Sequence, residues 1–335
     1  MSYILSVLDQ SPVREGGTAT DALHETIRLA QHAEKLGYKR FWVSEHHSTS
    51  SLAGSAPEVL LSAIGAATQT IRIGSGGVML PHFSSHKVAE NFAVLSSLYP
   101  GRIDLGVGRA PGGQMEVTQA LSPHGGADSR HFPQQVVRLS EAFHSESYTP
   151  KITPVVSTPP EIWMLGTSHE SALLAAELGL PYSFALFING EMNPAIFDLY
   201  RTRFDEKWGG DKQIAKNPYC CLAVNVICAE TEEHALAMAK CREVTFLRFL
   251  KQEVNVRVPS IEDASNYQYS GQELNFVSSR RKMSAIGTPE QVRDKLNQLA
   301  DDFGVDEIMA VTICYDFSDR LNSYTLLKNI VSAQS

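Results

Sequence analysis

Residues 71–113 read IRIGSGGVMLPHFSSHKVAENFAVLSSLYPGRIDLGVGRAPGG, and the fold follows from this stretch. Ile71 and Ile73 lead into Gly74, Gly76 and Gly77, a strand that ends in a glycine-rich loop. Val88, Phe92 and Leu95 then recur at helical spacing. Tyr99-Pro100-Gly101 stops that helix. Ile103 and Leu105 open a second strand, which runs into Gly106-Val107-Gly108-Arg109. Two strands joined by a helix are parallel, so both end in glycines on one side of a sheet. Glycine lets a flat ligand approach the backbone, and an arginine suits an anion. The stretch predicts a planar, phosphorylated ligand lying across these two strand ends.

The alternation continues outward in both directions. Residues 3–9 form a first strand, followed by a helix from about Thr20 to Leu36 with Gly37 as its cap. Arg40 to Ser44 is a strand ending at Glu45-His46-His47, and Pro57 to Thr68 is its helix. Downstream, a long loop from Gly108 to His131 leads to a helix near Pro133. Residues 145–160, rich in Ser, Thr and Pro, read as a surface connection. Further strands are expected at Ile162 to Leu165, Tyr182 to Leu186, Leu222 to Cys228 and Glu307 to Ile313. Helices follow them, one from Pro194 to Trp208 with Asn193 as N-cap. Eight such units predict an α/β protein, a (β/α)8 TIM barrel forming one domain over residues 1–335. Residues 252–285 break the rhythm, being polar and without period; they read as a lid or insertion after strand seven.

Composition narrows the function. The net charge is −8, from 29 Lys+Arg against 37 Asp+Glu, and no basic block appears. This argues against nucleic acid and anionic membranes as partners. No apolar run reaches the roughly 18 residues that span a membrane. The start, MSYILSVLDQ, lacks a basic region and a cleavage site, so a cytoplasmic protein is expected. The five cysteines, Cys220, Cys221, Cys228, Cys241 and Cys314, are odd in number and show no C-x-x-C spacing. They are expected as reduced, buried thiols.

In a barrel, chemistry sits on the loops that follow the strands. Here those loops hold Glu45-His46-His47, Gly76-Gly77, Gly108-Arg109 and Gly166-Thr167-Ser168. Neighbouring side chains on an extended backbone point to opposite sides, so His46 and His47 are not expected to face one ligand. One can serve as acid, base or hydrogen-bond donor. The other, with Glu45, supports it, or all three are structural. Zinc is a weaker option, with His82 and His86 available to complete a set. Gly106 to Gly112 imitates a dinucleotide fingerprint. Its spacing is wrong, and Pro111-Gly112-Gly113 leads away from a helix, so a nicotinamide site is rejected. Arg109 remains as a phosphate ligand or a surface ion pair. Gly166-Thr167-Ser168-His169-Glu170-Ser171 opens a helix, whose free N–H groups and hydroxyls suit a phosphate. Simple capping by Thr167 or Ser168 is the alternative; Arg109 on the preceding strand end tips the balance towards phosphate. Gly287-Thr288-Pro289-Glu290-Gln291 reads as an ordinary capping box.

These residues carry a resemblance. GYKRFWVSEHH (37–47), IRIGSGGVMLP (71–81), VAENFAVLSSLYPGRIDLGVGRAPGG (88–113), IWMLGTSHESALLAAELGLPYSFA (162–185) and GTPEQV (287–292) are similar to the bacterial-luciferase-like, flavin-dependent monooxygenases. They span nearly the whole chain in the family's order. The resemblance implies reduced FMN delivered by a separate flavin reductase, O2 as co-substrate, and a small apolar organic substrate. It places His46 beside the flavin as the catalytic residue, a non-prolyl cis peptide at Gly76-Gly77 under the ring, and Gly108 near the ring. Arg109, Gly166, Thr167, Ser168 and Ser171 match the phosphate-binding set. It also implies a homodimer. The family includes deazaflavin-dependent oxidoreductases and non-catalytic flavin-binding members, which are the alternatives.

Overall fold

The computed structural model describes residues 3–110, 115–122, 129–188, 191–204 and 217–332. The first half runs β1 (Ile4–Asp9), α1 (Ala19–Lys35), β2 (Arg40–Val43), α2 (Pro57–Ala67), β3 (Arg72–Met79), α3 (Ser85–Leu98) and β4 (Ile103–Gly108). Helices α4 (Met115–Leu121) and α5 (Phe132–His144) precede β5 (Glu161–Gly166). Then come α6 (His169–Glu177), β6 (Tyr182–Ala185), α7 (Ala195–Arg203), β7 (Cys220–Cys228) and α8 (Glu232–Leu250). The chain ends with α9 (Ile261–Asn266), α10 (Gly271–Lys282), β8 (Ala285–Gly287), α11 (Pro289–Phe303), β9 (Glu307–Val311) and α12 (Phe317–Ser332).

All strand pairs are parallel, in the order β6-β5-β4-β3-β2-β1-β9-β7, and a β6–β7 pairing closes the ring. The expected eight-stranded (β/α)8 barrel is therefore observed. A ninth strand, β8, was not anticipated; it adds to the far end of β7, where Val226 faces Ala285. Three residues are too few to show alternation in sequence.

Local chemistry sets the boundaries. Thr18 and Asp21 form a capping box on α1, and Gly37 ends it at φ 76°. Thr288 and Gln291 do the same for α11, as read from sequence. Three boundaries differ. Helix α4 lies inside the supposed long loop before His131. Pro194 is the N-cap of α7 rather than its first residue. Residues 252–285 contain two helices instead of an irregular lid. Ser260 and Ser270 cap them, but only Val277 of α10 is buried, so no apolar stripe announces the helix. Polar ties hold the segment instead: Tyr269 donates to Glu243 on α8 at 2.7 Å, and Lys251 pairs with Glu273 at 2.8 Å. Pro111-Gly112-Gly113 and Trp208 lie outside the described residues.

The N-terminal end of the barrel is plugged by charge. Arg40 Nε donates to Glu307 at 3.0 Å, and its Nη1 donates to Asp104 at 3.1 Å and Glu161 at 2.8 Å. Trp42 Nε1 donates to Asp104, and the Arg40 guanidinium sits 4.4 Å from the Trp163 ring centroid. Burial works against the Arg40 charge, but Asp104, Glu307 and Glu161 outweigh it and push its pKa up. Above this plug, Leu8, Trp42, Trp163, Ala223, Met309 and Val311 fill the barrel. The interior is solid, so chemistry is confined to the opposite rim. All five cysteines are free and buried. Among the described residues, no helix is long and apolar enough to cross a membrane.

Candidate active site

The rim begins where β2 ends. Ser44 N–H donates to Asp9 O, and His46 N–H donates to Gly54 O at 2.8 Å, so the chain turns back on itself directly after the strand. Glu45 is buried. Its Oε1 accepts from His47 Nε2 at 2.7 Å, and its Oε2 accepts the Met79 N–H at 2.9 Å. Burial pushes its pKa up, opposed by these two hydrogen bonds. The Gln10 side-chain amide, at the end of β1, lies 3.1 Å from His46 Nε2. Donation from Gln10 leaves the imidazole proton on Nδ1. Burial, with a smaller contribution from His47, lowers the His46 pKa to about 4. His46 is thus neutral at pH 7.

His46 and His47 both line one cavity of about 410 Å³. This corrects the expectation that they face apart. Alternation belongs to extended strands, and β2 stops at Val43, two residues before Glu45-His46-His47 turns. His82 packs edge-on against His47, with ring centroids 6.4 Å apart, but does not line the cavity. His86 instead stacks on Tyr148 at 6.0 Å. Among the described residues, no three His, Cys, Asp or Glu groups converge as metal ligands.

The cavity walls are largely apolar, with Leu52, Phe187, Phe246, Val258 and Ile313 among them. Helix α8 contributes Arg242 and Thr245, and α10 contributes Arg280. Gln10, Arg242 and Arg280 were missed from sequence. Gln10 follows a strand end just as His46 does, which was a usable signal. Arg242 lies next to buried Cys241 and three residues before the cavity-lining Thr245, so it is an arginine on an inward helical stripe.

The glycines of β3 and β4 make a bare backbone strip. Gly76 pairs with Gly106 and Met79 with Gly108, across a bulge. The Gly76-Gly77 peptide is cis. A Cβ on Gly77 would sit 2.5 Å from Leu165 Cδ1 and 2.7 Å from Gly106 O, and one on Gly76 would sit 2.7 Å from Leu8 Cδ1. Packing within the barrel therefore already demands glycine at both. Gly108 differs, since a Cβ there meets nothing closer than Met79 Sδ at 3.9 Å. Its side of the strip is open.

One strand further on, the β4–β5 pairing brings Arg109 beside Gly166, Thr167 and Ser168. Arg109 is exposed. Ser168 and Ser171 form a capping box on α6, and Ser171 Oγ also meets Ser168 O at 2.7 Å and Tyr182 OH at 3.0 Å. A Cβ on Gly166 would collide with Ser171 Oγ at 2.1 Å. The hydroxyl of Ser168, then a backbone hydrogen bond at Glu170 itself and the charge of Arg109, hold the Glu170 carboxyl below its usual range. The sequence-predicted set thus shares one corner, where Ser168 and Ser171 also cap the helix. The corner joins a cation, hydroxyls and a helix N-terminus to a side-chain-free strip, a donor set that fits a planar phosphorylated group. None of Gly76, Gly77, Gly108, Arg109, Gly166, Thr167, Ser168 or Ser171 lines the His46 cavity itself. Glu45, bonded to both His47 and Met79, is the link between the two regions.

The chain belongs to the luciferase-like monooxygenase family, whose model matches residues 3–307. It is 48% identical to the uncharacterized protein YwcH of Bacillus subtilis (strain 168), over 97% of this chain and 98% of that one. It is 39% identical to the N-acetyl-S-alkylcysteine monooxygenase of the same organism, over 98% of each chain. Among solved structures it is similar to apo-MsnO8, with TM-score 0.87, 35% identity and 98% coverage of each chain. At the level of fold alone it also resembles two more distant enzymes. One is the oxygenating constituent of 3,6-diketocamphane monooxygenase of Pseudomonas putida in complex with FMN, with TM-score 0.76 and 18% identity over 100% of this chain and 99% of that one. The other is an F420-dependent secondary alcohol dehydrogenase, with TM-score 0.63 and 14% identity over 99% of each chain.

Proposed function

We propose that the protein is an FMN-dependent monooxygenase that takes reduced flavin from a separate reductase and uses O2 to oxygenate a small organic substrate with an apolar body. One observation carries this reading: a neutral, oriented His46 lines an apolar cavity together with His47, and His47 is joined through Glu45 to Met79 at the end of β3. Two relatives named as monooxygenases, at 39% and 36% identity, support it.

When bound, reduced FMN supplies the two electrons with which O2 is split between substrate and water. The protein's own tasks are positional. Arg109, with the N-terminus of α6, would hold the phosphate. The strip at Gly76, Gly77 and Gly108 would receive the ring. Gln10 holds the His46 tautomer, leaving Nδ1–H as a hydrogen-bond donor. Phe187 and Phe246 keep water from the reacting centre. Segment 252–285 would act as the cover, since α10 supplies Arg280 to the cavity wall.

Anaerobic titration with reduced FMN, followed by oxygen-uptake measurements with candidate substrates, tests the reading. Saturable binding and substrate-dependent uptake coupled to an oxygenated product are expected. Selective binding of deazaflavin with oxygen-independent hydride transfer would overturn it. So would flavin held tightly with no substrate-dependent uptake.

A further inference from the structure

The His46 cavity has an electrostatic asymmetry that oxygen chemistry does not require. Two arginines line it, and among the described residues no Asp or Glu does. Arg242 makes no hydrogen bond or ion pair among the described residues. Its sequence neighbour Glu243 is committed elsewhere, accepting from Arg281 Nε at 2.6 Å, from Arg281 Nη2 at 2.8 Å and from Tyr269 OH at 2.7 Å. Arg280 is held differently. Its Nη1 donates to Phe187 O at 3.1 Å and Ile188 O at 3.0 Å, and its guanidinium lies 5.2 Å from the Phe246 ring centroid. Its Nε is buried without a hydrogen-bond partner. Burial, then the charge of Arg280, lowers the Arg242 pKa to about 10 against the opposing charge of Glu243, so Arg242 remains a cation at neutral pH.

A cation withdrawn from water is costly unless an anion meets it. Two adjacent guanidinium groups add mutual repulsion. Glu243 offsets only part of this for Arg242, being hydrogen-bonded to Arg281 and Tyr269, whereas a ligand entering the cavity can supply a counter-charge of its own. Carboxylate geometry matches the planar guanidinium fork, and the apolar walls suit the remainder of the molecule.

We propose that the substrate is an amphipathic organic acid, its carboxylate held by Arg242 and Arg280 and its apolar body against Phe187, Phe246 and Ile313. This rests on the reading of the cavity as the substrate site. Arg242 and Arg280 stand on α8 and α10, so the acid end lies against these helices while the body reaches towards His46 on β2. An uncharged substrate analogue leaves the arginine pair uncompensated and binds less well.

Calorimetry on the full-length protein without flavin tests this, using phenylbutyrate and its uncharged amide as probes. The acid is expected to bind at least about tenfold more tightly than the amide, as for a desolvated charge-assisted pair. Arg242→Gln should abolish that preference, and Arg242→Lys should retain part of it. Equal binding of acid and amide, no acid binding at millimolar concentration, or undiminished acid binding by Arg242→Gln would each overturn the proposal. A parallel titration with reduced FMN separates the two readings. Affinity for reduced FMN should be unchanged in Arg242→Gln; a matching loss would assign Arg242 to the flavin and overturn the proposal. Failure of the wild-type protein to bind reduced FMN would strike the monooxygenase reading alone, because the acid–amide comparison needs no flavin.

Discussion

Glu45 ties the histidine loop to the glycine strand: its carboxylate accepts the Met79 N–H at 2.9 Å and His47 Nε2 at 2.7 Å. Glu45→Ala deprives the Met79 N–H of its acceptor and releases His47. The expected loss is about 1–3 kcal/mol in chemical denaturation, the usual cost of an orphaned buried donor. Glu45→Gln should lose less, because an amide oxygen can replace one of the two acceptors.

His46 sets a pH dependence. Its pKa is about 4 in the fold against 6.5 for the ordinary imidazole. The unfolded chain therefore binds a proton first as pH falls. The His46 contribution to stability is whole above pH 6.5 and drains away as pH drops towards 4. Melting temperatures of wild type and His46→Asn should diverge less at pH 4.5 than at pH 7, by roughly the amount that titration removes. Parallel curves across that window would remove His46 as the titrating group.

Two glycines should respond in opposite ways. Gly77→Ala places a Cβ 2.5 Å from Leu165 Cδ1. Overpacking of that kind costs about 1–3 kcal/mol or more, read as a lower melting temperature. Gly108→Ala meets only Met79 Sδ at 3.9 Å, and its stability should stay within about 0.5 kcal/mol of wild type. Gly108→Leu should weaken binding of reduced FMN while the protein still folds.

Arg109 is exposed, so Arg109→Ala should leave melting unchanged within about 0.5 kcal/mol. Its affinity for reduced FMN should fall roughly tenfold or more, the value of a charge-assisted phosphate contact. Unchanged affinity by fluorescence titration would take Arg109 out of the phosphate site.

Arg40 should behave as a purely structural group. Arg40→Met leaves Glu307 buried without its cation and Asp104 with Arg72 alone. A loss of about 3–5 kcal/mol is expected in urea denaturation, as when one member of a buried ion network is removed. Flavin affinity of the remaining folded fraction should not change, since the network lies at the opposite end of the barrel.

Some of this was legible in residue order. The alternation of Ile73, Val88, Phe92 and Ile103 through glycine-terminated strands implies parallel pairing whatever the tertiary detail, because short-range periodicity records which face is buried. Capping boxes such as Thr288 with Gln291 are local, and they were read correctly. Helix α10 was not legible, since its stability comes from bonds such as Arg281 to Glu243, across 38 residues, rather than from an apolar stripe.

By itself, then, the sequence determined the barrel, the rim on which chemistry gathers, and the neighbourhood of Arg109 and Ser168, all consequences of periodicity and local turn chemistry. Tertiary structure alone decided what those groups face. It turned His47 into the same cavity as His46, because the chain leaves the strand before the pair. It engaged Ser171 with Tyr182 across a neighbouring strand. It brought Arg242 and Arg280, 38 positions apart in the chain, to the wall of one cavity that no described Asp or Glu lines. Such encounters depend on how helices far apart in sequence pack over the barrel mouth, and one-dimensional patterns carry no record of that packing.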